Sequence, residues 1–186
     1  MTTGAPSERR FSGEAARLRS AERVARLEPE RVVAYSLQNL HITSVLDIGT
    51  GTGLFAEAFS AAGTAVTGID VRSDLLAVAQ QHLPEGRFVN ALAEFLPFDD
   101  KSFDLVFLAH VLHEADDLSQ ALREAARTAR RRVVIVEYPY RQEESGPPLE
   151  HRLPGDRIES LAAAVGLYDR VKASLTHVDL YAFSAF

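Results

Sequence analysis

The spacing of apolar residues changes period repeatedly along the chain, and each change marks the end of one predicted element and the start of another. Val45, Leu46 and Ile48 make a nearly continuous apolar run that stops at Gly49, as expected of a strand buried on both faces. Similar short runs cover Val66 to Asp70, Arg87-Phe88-Val89, Asp104 to Ala109 and Val133 to Glu137. Between them the period lengthens to three and four: Phe55, Ala58, Phe59 and Ala62 before a stop at Gly63, then Leu75, Leu76 and Ala79, then Leu118, Ala121, Leu122, Ala125 and Ala129. These are helical stripes. Strands alternating with helices predict an α/β fold built on a doubly wound, mostly parallel sheet with helices on both faces.

At the N-terminal side, Glu14 to Leu27 is rich in alanine, arginine and glutamate and reads as one helix. Pro29 fits the first turn of a second, which runs to about Leu40 with Val33, Leu37 and Leu40 on one stripe. At the other end a helix from about Asp156 to Val165, stopped by Gly166, precedes strand-like runs near Val171 to Leu175 and Val178 to Phe183. Residues 1–10 are small and polar and read as a disordered tail, leaving 11–186 as one domain.

The chemistry is concentrated where the first strand ends. Asp47-Ile48-Gly49-Thr50-Gly51-Thr52-Gly53 places three glycines in five positions, which permits a sharp turn and leaves peptide N–H groups uncovered toward a ligand. The second strand ends in Asp70, about 20 residues further on, where a carboxylate accepts hydrogen bonds from two ribose hydroxyls. Helix capping is the competing role, and Ser73 or Asp74 is better placed for it. The pattern therefore points to a small molecule that carries a nucleoside. Gly51-Thr52-Gly53-Leu54-Phe55-Ala56 also fits the looser dinucleotide fingerprint, so a nicotinamide-dependent oxidoreductase stands as an alternative.

With these motifs in place the chain resembles a class I methyltransferase that uses S-adenosylmethionine, of the small-molecule type related to quinone-biosynthesis C-methyltransferases. Asp47-x-Gly49-x-Gly51-x-Gly53 is similar to the family's first motif and Gly68-Ile69-Asp70 to its second. Ala93-Glu94-x-Leu96-Pro97-Phe98 followed by Ser102-Phe103-Asp104-Leu105-Val106 is similar to the exit of its third strand and its fourth strand. The resemblance implies a Rossmann-like sheet of seven strands closed by an antiparallel pair. It implies that Asp47, Gly49, Thr50, Gly51, Gly53, Asp70, Val71, Leu92, Ala93, Glu94 and Ala109 surround the donor, with Val71 on the adenine face and Leu92-Ala93-Glu94 at its edge. Family members commonly carry aspartate at the position of Leu92. Leucine cannot accept the hydrogen bond of the adenine amino group, so either the backbone of Ala93 and Glu94 reads the base or the donor binds less tightly. A donor-binding module without catalysis is a third reading for that reason.

Composition narrows the acceptor. The net charge of −6 argues against a nucleic-acid substrate, and Arg130-Arg131-Arg132, the one basic cluster, is expected to complement a helix C-terminus. There is no cysteine, which excludes zinc-thiolate sites, thiol nucleophiles and the thiol-dependent, arsenic-methylating branch of the resembled family. No metal site is expected. No signal-like or membrane-length apolar run is present, so a cytoplasmic protein, monomer or homodimer, is expected.

His110 and His113 follow the fourth strand at a spacing that puts them on one face of a helical turn, and either could be a general base for an acceptor that must lose a proton. Glu114, Asp116 and Asp117 read as capping acids for the next helix. The chain has Ala109-His110-Val111-Leu112 where amino-group methylases of related families carry an Asn/Asp-Pro-Pro-Tyr run, which favours carbon, oxygen or sulfur acceptors. The proline-rich stretch 138–157 is expected to wall the acceptor pocket, with the segment around Phe11, in an N-terminal lid spanning 11–43, opposite.

Overall fold

The computed structural model describes residues 10–185; the tail expected over 1–10 lies, apart from Arg10, outside the described residues. The elements in chain order are α1 (Ala15–Leu18), α2 (Ala21–Leu27), α3 (Pro29–Leu37), β1 (Ser44–Ile48), α4 (Leu54–Ala61), β2 (Ala65–Asp70), α5 (Ser73–His82), β3 (Arg87–Asn90), β4 (Phe103–Ala109), α6 (Leu118–Thr128), β5 (Ala129–Glu137), α7 (Gly155–Ala164), β6 (Tyr168–Ser174) and β7 (Asp179–Ser184). One seven-stranded sheet has the order β3-β2-β1-β4-β5-β7-β6. β1 pairs in parallel with β2 and β4, while β7 runs antiparallel to both β5 and β6. The alternation and the closing pair expected from the sequence are both present.

Side-chain alternation sorts the strands into two cores. Leu46, Ile48, Val106, Leu108, Val133 and Ile135 pack on one face with Leu122 of α6 and Ile158 of α7. Val45, Leu105, Phe107, Val134 and Val136 pack on the other with Val33 of α3 and Phe55 and Phe59 of α4. Phe107 sits between the two α4 rings, 5.0 Å from each centroid. The chain winds outward from β1 through β3, then crosses back to β4. The crevice of an open sheet lies beyond the strand ends at such a reversal.

Several local expectations are corrected by tertiary contacts. The single helix expected over Glu14 to Leu27 is two, broken at Arg19-Ser20, because Arg19 reaches across to the Thr52 carbonyl at 2.8 Å and to Glu57 at 2.7 Å. Ser20 then caps α2 through Arg23 N–H. Neither Ser73 nor Asp74 caps α5, whose N-cap position is Arg72. Of the three acids before α6 only Asp117 caps it, at Gln120 N–H; Asp116 pairs with Arg10 and Glu114 accepts Phe11 N–H. Arg130-Arg131-Arg132 begins β5 instead of ending α6. Arg132 does satisfy a helix C-terminus, that of α3, by donating to the Ser36 and Gln38 carbonyls at 2.9 Å.

Arg130 is tied to Asp104 of β4, a buried carboxylate that also accepts from the Thr43 amide and hydroxyl at 2.9 and 2.7 Å. Burial pushes the Asp104 carboxyl up, but the bonds from Thr43 and Arg130 outweigh it and hold it well below the usual carboxylate range. Such a group stabilises the fold above its unfolded value and loses that contribution as pH falls through the folded one. Asp104→Asn is expected to lower the unfolding free energy by about 1–3 kcal/mol near neutral pH. In urea titrations that difference should shrink steadily as the pH is taken below about 3.

Candidate functional site

The bend after β1 is built by the strand beside it. Thr50 N–H donates to the Ile69 carbonyl at 2.8 Å, and Gly51 N–H donates to Asp70 Oδ2 at 2.9 Å. Gly49 has φ +67°, and a Cβ there would overlap the Val111 side chain, so no other residue fits without moving the loop after β4. Gly53 has φ +83° at the N-cap of α4, where a Cβ would stand 3.0 Å from Ala79 Cβ on α5. The glycines thus let β1, α4 and α5 close together under the crevice.

Asp70 is half-buried and accepts two backbone N–H bonds, Gly51 on one oxygen and Arg72 at 2.9 Å on the other. Burial pushes its carboxyl up, with the bonds from Arg72 and Gly51 pulling it back down. A carboxylate has about four acceptor positions, so each oxygen keeps capacity for a further donor. Asp47 lies behind the bend, 2% exposed, accepting from Thr50 Oγ1 at 2.7 Å. Burial pushes its carboxyl up to about 7, Thr50 opposing and Asp70 adding to the rise.

A cavity of about 1100 Å³ opens beyond the strand ends. Gly49, Thr50, Gly51, Asp70, Val71, Leu92, Ala93, Glu94, Ala109, His110 and His113 line it. Asp47 and Gly53 do not; they support its wall from behind. Its size is at the upper limit of the ~300–1000 Å³ typical for one small ligand. Val71 and Leu92 present exposed apolar side chains to its outer end, 41% and 38% accessible. The Leu92 turn is closed by Phe95 N–H on the Leu92 carbonyl at 3.1 Å. The Glu94 carboxylate is engaged, accepting the Asp116 amide at 2.8 Å, which leaves the Ala93-Glu94 backbone as the polar feature of that edge.

The two histidines have separate environments and do not share a helical face. His110 follows β4 with φ +59°, a left-handed conformation that costs a non-glycine residue about 1–2 kcal/mol. Its amide continues the sheet by donating to the Val136 carbonyl at 2.8 Å. The ring lies 4.0 Å from that of Tyr138, and neither of its buried nitrogens has a partner. Burial first, then the positive charges of Arg23, His113 and Arg152, hold its pKa well below the ordinary value, so the ring is neutral. His113 sits in a short 3₁₀ turn over Leu112–Glu114. Its Nδ1 lies 2.7 Å from Glu137 Oε2, and its amide donates to Glu137 Oε1 at 3.2 Å. The Glu137 carboxylate on Nδ1 orients the ring, and Glu114 Oε1 stands 4.0 Å from Nε2.

The stretch after β5 folds around one guanidinium. Arg152, 4% exposed, donates to the carbonyls of Pro139, Arg141, Ser145 and Pro147 at 2.9–3.0 Å and stands 5.3 Å from the Tyr138 ring centroid. Tyr138, Ser145, Gly146 and Pro147 line the cavity from this side, and Arg10, Phe11 and Ser12 line it from another. Arg72 ties that segment down through the Gly13 carbonyl at 2.8 Å. Sequence reasoning missed Arg152, Arg19 and Arg23. Each works through contacts distant in the chain, and no local pattern distinguishes them from surface arginines. The step from Arg152 to the prolines around it was the one available signal.

Residues 46–136 match the family model of a methyltransferase domain. Demethylmenaquinone methyltransferase of Thermotoga maritima is 37% identical over 112 residues, covering 58% of this chain and 48% of that enzyme. The chain spans about half the length, or less, of the curated relatives it matches. Among solved structures, a SAM-dependent methyltransferase from Aquifex aeolicus superimposes with a TM-score of 0.81 at 19% identity, covering 92% of this chain and 97% of that one. Magnesium protoporphyrin IX methyltransferase from Synechocystis, solved with SAM bound, gives 0.70 at 19% identity, covering 96% and 88%. The fold is that of these SAM-dependent methyltransferase structures, and the stretch 46–136 is similar to a methyltransferase domain.

The raised Asp47 carboxyl makes a signed prediction. Between the unfolded value of 3.8 and about 7 the folded state holds a proton that the unfolded chain releases, so Asp47 weakens the fold as pH rises through that window. Asp47→Asn should match the parent near pH 4 and exceed its unfolding free energy by about 4 kcal/mol near pH 8. Urea midpoints at the two pH values measure it.

Proposed function

We propose that this chain transfers a methyl group from S-adenosylmethionine to the carbon, oxygen or sulfur of a small-molecule acceptor. The observation that carries the reading is Asp70, whose two oxygens are positioned by Gly51 and Arg72 N–H groups and keep acceptor capacity beside the glycine bend. That arrangement fits a ribose diol. Val71 and Leu92 would flank the adenine and the Ala93-Glu94 backbone its edge, Leu92 leaving the amino group without a side-chain acceptor. Gly49, Thr50 and Gly51 would pass the amino-acid tail, with Gly53 and Asp47 holding the bend from below. A pyrophosphate would face Asp70 in the same place, which disfavours a nicotinamide dinucleotide.

The donor brings an already activated methyl group, so the protein's task is to aim a nucleophile and manage one proton. His113 is the residue for the proton. Glu137 orients its ring and stabilises the charge that arises when Nε2 takes a proton from the acceptor, as a carboxylate does in a triad. His110, held neutral by burial, stacks on Tyr138 beside it and takes no proton. The wall formed by 138–157 and the Phe11 segment exclude water while the acceptor is aligned. A dissolved acceptor and donor are consistent with a cytoplasmic enzyme, monomer or homodimer; among the described residues no helix is long and apolar enough to cross a membrane.

Calorimetry with S-adenosylhomocysteine should show micromolar binding and none with NADH. Asp70→Asn, which keeps an oxygen to accept the Gly51 N–H, should weaken that binding at least tenfold; unaltered affinity would sink the ribose assignment. His113→Ala should keep product-analogue affinity yet lose most turnover in a panel of phenols, quinols and thiols. Full turnover in that variant would remove His113 from the chemistry.

A further inference from the structure

Glu114 is an acid that the helix after it does not use. Asp117 caps α6, while Glu114 is half-buried in the cavity lining with its two oxygens on different neighbours. Oε2 accepts the Phe11 amide at 3.2 Å, and Oε1 stands 4.0 Å from His113 Nε2. Among the described residues its ionic partner is that histidine. At 4.0 Å the two act on each other through charge rather than through a hydrogen bond.

His113 is thereby flanked by two carboxylates, Glu137 of β5 on Nδ1 at 2.7 Å and Glu114, from the turn that carries the ring, toward Nε2. Its other polar neighbours are His110 after β4, on which its charge acts, and Tyr138 after β5, whose ring centroid is 5.9 Å away. Burial pushes the Glu114 carboxyl up; the His113 charge and then the Phe11 amide pull it down, with Glu137 and Asp70 opposing them. A carboxylate so placed gains most when the ring beside it is positive.

The segment that places this carboxylate is anchored on both sides. Arg10 pairs with Asp116 at 2.6 Å, and Arg72, whose amide holds Asp70, donates to the Gly13 carbonyl at 2.8 Å. One short strap, lining the cavity through Arg10, Phe11 and Ser12, therefore reaches both the acid assigned to the ribose and the turn assigned to the base.

Methyl transfer to an acceptor X–H leaves the carbon–sulfur pair on sulfur and uses the X–H pair for the new X–C bond, so the positive charge leaves sulfur and the freed proton goes to His113. Resting on the methyl-transfer reading above, we propose that Glu114 is a positioning residue for that proton: held opposite Nε2 by the Phe11 amide, its charge stabilises the protonated His113 only while the N-terminal segment is seated against the cavity. The base is then strongest when the cavity is covered.

The test follows the full chain by NMR, with the His113 ring taken through a pH titration and the Phe11 amide through hydrogen exchange. Glu114→Gln keeps an oxygen for the Phe11 amide and removes the charge, so it should lower the proton affinity of the His113 ring at least about threefold with Phe11 exchange unchanged. Glu114→Ala should lose both, Phe11 exchanging about tenfold faster or more. Phe11→Pro, which has no amide hydrogen, should reproduce the fall in His113 proton affinity with Glu114 intact. An unchanged His113 titration in Glu114→Gln overturns the proposal, since a merely structural acid is replaced by its carboxamide without effect on the ring. So does a fall in Glu114→Gln that Phe11→Pro does not share, because the strap would then play no part. These readings need no ligand; failure of the parent protein to bind S-adenosylhomocysteine is a separate result, which removes the methyl-transfer reading and with it the role of that proton.

Discussion

The glycine bend is a shape that β1 cannot hold by itself. Its amides at Thr50 and Gly51 are spent on the end of β2, on the Ile69 carbonyl and the Asp70 carboxylate, so the first two strands must be in register before the bend exists. The parallel pairing that matches Asp47 with Gly68 and Ile48 with Ile69 sets that register. Once it is set, one carboxylate both shapes the bend and stands beside the space the bend creates. Gly49 then lets the loop carrying Val111 settle against the bend, and the histidines of that loop arrive at the same cavity. The bend and the histidine loop are joined by a contact between a glycine and a valine side chain.

The cavity wall after β5 rests on a different kind of constraint, a buried cation coordinated by carbonyl oxygens. The stretch after β5 has no regular structure to satisfy its own peptide groups apart from a short 3₁₀ turn, and Arg152 satisfies the carbonyls of Pro139, Arg141, Ser145 and Pro147 instead. The buried Pro139 carbonyl would be costly without a partner, and the same guanidinium gathers the more exposed carbonyls of the wall around it. Tyr138 is held under Arg152 and over His110 by the same arrangement. Glu137, the last residue of β5, meanwhile takes His113. The end of one strand thus organises the two histidines, one through its carboxylate and the other through the ring that follows it.

Charged groups of both signs line the cavity, Asp70, Glu94 and Glu114 together with Arg10, Arg17 and Arg72, and Glu22 beside Arg23 and Arg26. In a cavity also walled by apolar side chains such as Leu27 and Phe55 the fields of these groups are weakly screened.

Much of this was readable in the residues themselves. Alternating periods, the glycine turn and Asp70 at the end of the next strand are local patterns, and local patterns follow from the steric and hydrogen-bonding needs of single elements; the sheet, its closing pair and the candidate donor residues are legible for that reason. The break in the N-terminal helix, the partner of Arg132, the separate fates of His110 and His113 and the role of Arg152 were not. Each depends on which groups meet across 33, 96, 24 or 13 residues of intervening chain. An arginine or histidine takes its meaning from whether a carbonyl, a carboxylate or nothing stands opposite it. Periodicity carries no record of that, because only the packed sheet brings those groups within hydrogen-bonding distance.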